Sequence, residues 1–393
     1  MNLTIVNPYG AGHYGQYLNA LVDGWNARLA TGDRQDTMAI VVPPEIDNTH
    51  PSLPEKAHEA GIRWVHFHSP NVNPHSLWDR ERWMMGELEV LLPALQSEHV
   101  FFSYLDHYLL TVIFGGLRVP KSGILFRPSF HYPALGLAPP MTWRDQIREL
   151  LRRELLRQAL RHLDRVFLLD DTAVEPMRAM GLSTPIALPE VFDRPSSGER
   201  PAFLGAIEKG RHVIVSLGML DRRKGVLETL EALRLLPEAH QRQVVLVLAG
   251  QIGLDVRAET EAAVSVLRES TSVQVIVENR YLSEDEVQPT IEAADTILVA
   301  YQRHTGSSGI LIRAAAAGKP VVASDYGLVG INVRRHSLGD AIDTTSPAVL
   351  SAALSRRLEG QTPGFDPFRA QAFAEANTAE RHAATIFSGI LGS

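Results

Sequence analysis

The sequence predicts an α/β fold: two Rossmann-like domains. Three observations carry the prediction. Short apolar runs alternate with amphipathic stretches of helical period through most of the 393 residues. The alternation breaks once, at "DRPSSGERP" (193–201), and then restarts. Glycine-rich or small-residue loops follow several of the apolar runs, where open α/β sheets place their ligands.

In the first series the expected strands are "LTIV" (3–6), "TMAIVV" (37–42), "IRWVHF" (62–67), "HVFFSY" (99–104), "GILF" (123–126) and "RVFLL" (165–169). Helical patterns lie between them, as in "GQYLNALVDGWNARLA" (15–30) and "RWMMGELEVLLPALQ" (82–96). Strands apolar on both faces and separated by helices mean a parallel, doubly wound sheet. The second series runs "HVIVSLG" (212–218), "VVLVLAG" (244–250), "VQVIVE" (273–278), "DTILVAY" (295–301) and "KPVVASD" (319–325). These patterns place a first domain at 1–192, a Pro/Ser/Gly-rich linker at 193–201, a second domain at 202–369 and closing helices at 370–393.

Composition narrows the function classes. The net charge of −7 offers no basic field for nucleic acid. Without cysteine there is no disulfide, thiolate zinc site or cysteine nucleophile. The start "MNLTIVNPYG" lacks signal-peptide character, and no apolar run has spanning length, so a cytoplasmic protein is expected.

The loop "NPYGAGHYG" reads G-x-G-x-x-G over Gly10, Gly12 and Gly15. A dinucleotide fingerprint also wants an acidic residue about 20 residues on. Here Glu45 comes later, behind two prolines, so a nicotinamide enzyme is the lesser alternative. A structural turn and a ligand-facing loop with His13 and Tyr14 at its tip remain open. In the second half, "SLGMLDRRKG" puts Arg222, Arg223 and Lys224 after a strand that ends at Gly218. Cations at that position suit a phosphate-bearing ligand. "HTGSSGILIRAAAAG" puts the amides of Gly306, Ser307, Ser308 and Gly309 at a helix start, a natural anion site.

The stretch 210–330 resembles the donor domain of retaining glycosyltransferases with the GT-B fold, in glycosyltransferase family 4 (glycosyl transferases group 1). The resemblance rests on "SLGMLDRRKG", "VLVLAG", "SEDEVQPTIEAAD" and "TGSSGILIRAAAAGKPVVASD". It implies two Rossmann-like domains facing a cleft, acceptor-binding first and donor-binding second, and transfer of a sugar from a nucleotide-diphosphate sugar with retained configuration. It implies no metal, and no cofactor beyond the nucleotide-sugar co-substrate. Only Lys224, as a diphosphate-binding cation, and the 306–309 backbone carry over directly. The family's two glutamates, with seven residues between them, align with Thr305 and Arg313, and its arginine aligns with Met219. Arg222 or Arg223 then replaces the missing cation, and Arg313 meets a phosphate or ribose hydroxyl. The altered glutamates also leave room for a catalytically silent nucleotide-sugar binding protein.

By their position after strands, Arg280 and Tyr281 border the nucleobase. Asp106 and His107 in "FFSYLDHYLL", with Arg127 and His131 in "FRPSFHYPALG", are the acceptor-side candidates; each histidine also has a plain packing reading. The acceptor itself is unspecified. Asp170–Asp171 reads as a helix N-cap rather than an Asp-x-Asp metal site, and Ser283 with Glu286 as a capping box. His66, His68 and His75 do not have metal-ligand spacing. The stretch 144–165 is a basic amphipathic helix, either a solvated face or a peripheral membrane contact.

Overall fold

A computed structural model of the protein describes residues 1–10, 14–30, 36–68, 76–137, 142–181, 185–193 and 198–392. Gly12 and His13 lie outside the described residues, as does His75. The chain divides into two compact units: Met1–Val191 with Thr378–Ser393, and Phe192–Asn377.

The first unit is built on a parallel sheet of seven strands: β1 (Asn2–Val6), β2 (Thr37–Val42), β3 (Arg63–His66), β4 (His99–Phe102), β5 (Lys121–Leu125), β6 (Arg165–Leu168) and β7 (Pro185–Ala187). Their order is β3-β2-β1-β4-β5-β6-β7, reversing direction beside β1. Six of these strands were legible as apolar runs. β7 is a three-residue edge strand that begins with proline, which removes a ladder donor and hides the signal.

Alternate residues go to opposite faces of the sheet. Phe102, Val166 and Leu168 join one core cluster, and Phe101, Ile124 and Phe167 join the other. This is why the strands read as continuous apolar runs. The helix Tyr14–Ala30 covers the second face together with Ala379–Leu391. Gly24 lets the two helices close up, since a Cβ there would sit 2.4 Å from the Ala383 Cβ.

The second unit has a six-stranded parallel sheet: β8 (His212–Leu217), β9 (Val244–Ala249), β10 (Gln274–Glu278), β11 (Thr296–Val299), β12 (Val321–Ser324) and β13 (Gly339–Ile342). The order β10-β9-β8-β11-β12-β13 again reverses beside its first strand. Val213, Val215 and Leu217 face one core, and Ile214, Leu246 and Leu248 the other. β13 was missed by sequence, since "GDAI" carries too few apolar residues to stand out.

The unit boundary falls one residue before the expected linker. Phe192 belongs to the second core, beside Leu204. The expected closing segment divides. Pro367–Ala376 packs in the second unit, whereas Ala379–Leu391 packs in the first.

Candidate functional site

The second unit gathers its chemistry where β8 and β11 end. β8 leads into Gly218, whose φ is +100°, and β9 into Gly250 at +137°. Any Cβ on Gly250 would lie 1.9 Å from the Gly218 carbonyl oxygen, so glycine is required for the two turns to abut. One helical turn, Arg222–Lys224, follows and ends at Gly225 with φ +67°. Gly225 starts the helix Val226–Arg234.

Lys224 is only 8% exposed. Its Nζ donates to the Tyr301 hydroxyl at 2.6 Å and lies 3.5 Å from the Leu217 carbonyl oxygen. The Tyr301 hydroxyl lies 2.8 Å from Ser308 Oγ. Ser308 in turn caps the helix Gly309–Ala316 through the Leu311 amide. One network therefore joins the lysine to the helix N-terminus, where amide dipoles favour negative charge. The Arg223 guanidinium lies 5.2 Å from the Tyr301 ring centroid, and its Nη2 is 3.5 Å from Asp221.

Other candidates on this unit sit apart from that network. Arg222 pairs with Glu259 on the helix Arg257–Ser270. Arg313 pairs with Glu284 at 2.5 Å and lies over the Phe192 ring. Arg280 is clamped between Glu278 and Glu286, at 2.6 and 2.5 Å. Those contacts hold the Glu286 carboxyl down at about 2 and raise the guanidinium further. Tyr281 is 77% exposed. Ser283 and Glu286 form the expected capping box.

Thr305 and Gly306 are set by close packing. The Thr305 carbonyl accepts from the Leu328 amide at 3.0 Å, and a Cβ on Gly306 would meet the His304 ring at 2.9 Å. Ser307 and Gly309 complete the loop, and space for a Cβ at Gly309 is open. Sequence reasoning missed Tyr301 and Asp221. Tyr301 read as the polar end of a strand, and only the turn of 222–224 brings Lys224 onto it.

On the first unit, the ends of β1, β4 and β5 carry an aromatic cluster. Tyr9 stacks on Tyr14 at 4.7 Å and meets Tyr104 edge-on at 5.3 Å, while Tyr104 stacks on Phe126 at 4.8 Å. The Tyr9 hydroxyl and His107 Nδ1 share a hydrogen bond. Burial, with Arg80, Arg127 and Arg152 nearby, pushes the His107 imidazole down to about 4. Burial also pushes the Tyr9 phenol up to about 12. Both groups are thus neutral near pH 7. Glu81 positions the following turn by accepting from the Leu110 and Thr111 amides at 3.1 and 2.7 Å.

Asp106 accepts from the Phe126 and Arg127 amides at 2.8 and 2.9 Å. It therefore holds β4's loop to β5's loop, and it lines a small pocket with Arg127 and Arg152. His131 is buried, with Nε2 2.9 Å from Thr172 Oγ1 and 3.2 Å from Asp170. Asp170 also accepts from the Thr172 amide, the expected cap. These contacts match the packing reading of His131. A Cβ on Gly10 would press on Glu45 at 3.0 Å, and one on Gly15 would overlap His50. Close packing against the helix Glu45–Thr49 and His50 therefore accounts for both glycines. A groove of about 580 Å³, lined by Leu88, Leu92, Phe114 and Leu117, opens near the start of β5, away from these loops.

The second unit thus brings a buried lysine to the start of a helix at its strand ends. Residues 202–376 match the family glycosyl transferases group 1. No curated protein matches the chain in sequence. Solved structures do match its fold. An Escherichia coli structure described as trehalose-6-phosphate bound with UDP-2-fluoro glucose is 13% identical, with a TM-score of 0.71 over 99% of this chain and 98% of that one. Anabaena HepE in complex with UDP is 14% identical, with a TM-score of 0.66 over 100% of both chains. Sucrose-phosphate synthase from Thermosynechococcus elongatus is 16% identical, with a TM-score of 0.62 over 98% of this chain and 94% of that one. The fold is thus GT-B, two Rossmann-like domains with parallel sheets.

Proposed function

We propose that the protein is a glycosyltransferase that moves a sugar from a nucleotide-diphosphate sugar to an acceptor hydroxyl, with retained configuration and without a metal. One observation carries this reading: the Lys224–Tyr301–Ser308 network ties a buried cation to the start of the helix Gly309–Ala316. The family match over the same unit and the UDP held by HepE support it.

Leaving-group departure builds negative charge on the β-phosphate as the sugar gains oxocarbenium character. Lys224, Arg223 and the amides of 306–309 are fixed in advance to meet that charge, which is the usual dominant electrostatic contribution. On the first unit His107, oriented by Tyr9, donates from Nε2 to the acceptor or the sugar. A group titrating near 4 is a poor general base at pH 7.

Thermal melting with a panel of nucleoside diphosphates and nucleotide sugars tests the donor site. Saturating UDP or a congener raises Tm in the native protein and not in Lys224→Ala. A response to NAD alone overturns the reading. Transfer persists in excess EDTA, because built-in cations replace a divalent ion. Loss restored by Mg²⁺ or Mn²⁺ overturns the metal-free site.

Thr305 and Arg313 favour one second reading, a binding protein without turnover, since neither position offers a carboxylate to the donor. Hydrolysis of the stabilising nucleotide sugar in the absence of acceptor separates the enzyme from the binder.

A further inference from the structure

The helix Trp143–Leu160 of the first unit has two apolar faces at different heights. Its last turns bury Leu156, Ala159 and Leu160 in the core. Its first turns expose Trp143, Ile147, Leu150 and Leu151 at 65, 48, 64 and 67%. At about 100° per residue these four fall within an arc of roughly 100°, on the side opposite the buried face. Core packing therefore does not explain them. Four large apolar side chains grouped in this way are not the scattered exposure of an ordinary surface.

The charges are arranged around that stripe. Arg144 and Arg148 flank one edge, and Arg153 and Arg157 the other, on the same helical projection. Asp145 and Glu149 fall behind, toward the core side. Glu154 alone lies within the stripe, and Arg157 holds it at 2.9 Å. Between Trp143 and Arg161 there are six arginines against three carboxylates, in a chain whose net charge is −7. The basic edge is thus local, set against an acidic background.

We infer that the exposed face of Trp143–Leu160 is a docking surface for an anionic lipid bilayer. The helix lies in the interface, with Trp143, Ile147, Leu150 and Leu151 among the acyl chains and the flanking arginines on lipid phosphates. Among the described residues no helix is long and apolar enough to cross a membrane, so this contact is peripheral. Charge selects the occupant. A second copy of the same face would bring arginine edges against arginine edges, whereas an anionic headgroup layer complements both edges at once. Long arginine stems also cover apolar surface while their heads reach phosphate, which suits a headgroup boundary.

The test uses the full chain and vesicles of equal parts phosphatidylglycerol and phosphatidylcholine, read by co-sedimentation. The native protein binds these vesicles and releases them as ionic strength rises, and its Trp143 emission moves to the blue on binding. Trp143→Phe identifies that signal among the five tryptophans. Leu150→Glu with Leu151→Glu lowers partitioning at least about tenfold. Because both leucines are exposed, Tm is unchanged and a folding defect is separable. Arg144→Gln with Arg148→Gln weakens binding to anionic vesicles and reduces its salt dependence. Three results overturn the inference: no binding, equal binding to pure phosphatidylcholine, or a native dimer abolished by the leucine substitutions. No donor or acceptor enters the assay, so its outcome is independent of the proposed transfer.

Discussion

The loop after β1 and the loop after β8 occupy equivalent positions in two sheets of the same topology, yet they are dressed in opposite ways. After β8 stand Arg222, Arg223 and Lys224, with Lys224 and Arg223 gathered on the Tyr301 ring. After β1 stand Tyr9 and Tyr14, stacked on each other and edge-on to Tyr104, beside a neutral His107. The first arrangement presents positive charge. The second offers aromatic faces and neutral donors, the tyrosine hydroxyls and the His107 imidazole. A shared backbone topology thus fixes where ligands are met, and the side chains at each strand end fix which chemistry is met.

Breaking the cationic side gives the largest expected effect. Lys224→Ala lowers transfer at least 100-fold, roughly 3 kcal/mol, measured as kcat/KM with a nucleotide sugar. Turnover equal to native would remove Lys224 from the mechanism and leave the two loops functionally alike.

Buried histidines make the first unit acid-sensitive. Burial holds the His382 imidazole at about 4, with His107 at a similar value. Between about 4 and the ordinary histidine value the unfolded chain binds more protons, so stability rises with pH across that window. It is present in full above about 6.5 and is lost as pH falls toward 4, by about 3 kcal/mol for His382 alone. Unfolding midpoints measured across this range check the slope, and His382→Gln flattens it. An unchanged slope would show that His382 is not the group responsible.

A smaller change sharpens the comparison. Tyr301→Phe keeps the ring beneath Arg223 and removes the hydroxyl that joins Lys224 to Ser308. A fall of about tenfold in kcat/KM is expected from loss of two buried hydrogen bonds. A native value would mean that the ring alone positions the lysine. Arg222→Ala should change activity by less than about twofold, since an exposed pair with Glu259 contributes little. A large loss there would return Arg222 to the donor site.

Sequence alone determined the double α/β series, because strands buried on both faces leave continuous apolar runs that need no partner to be recognised. It also marked Lys224 and the 306–309 loop, whose residue types and spacing announce anion chemistry locally. Only tertiary structure sorted the remaining candidates. Asp106, His131, Arg222 and Arg313 look like ligand groups in one dimension, and in the fold they contact backbone amides, Asp170, Glu259 and Glu284. Their partners lie 20 to 39 residues away and are brought near only by packing. The same holds for Tyr301, 77 residues from Lys224 in sequence and 2.6 Å from it in space. A side chain's role depends on which neighbour satisfies it, and that is decided by how the elements pack rather than by residue type.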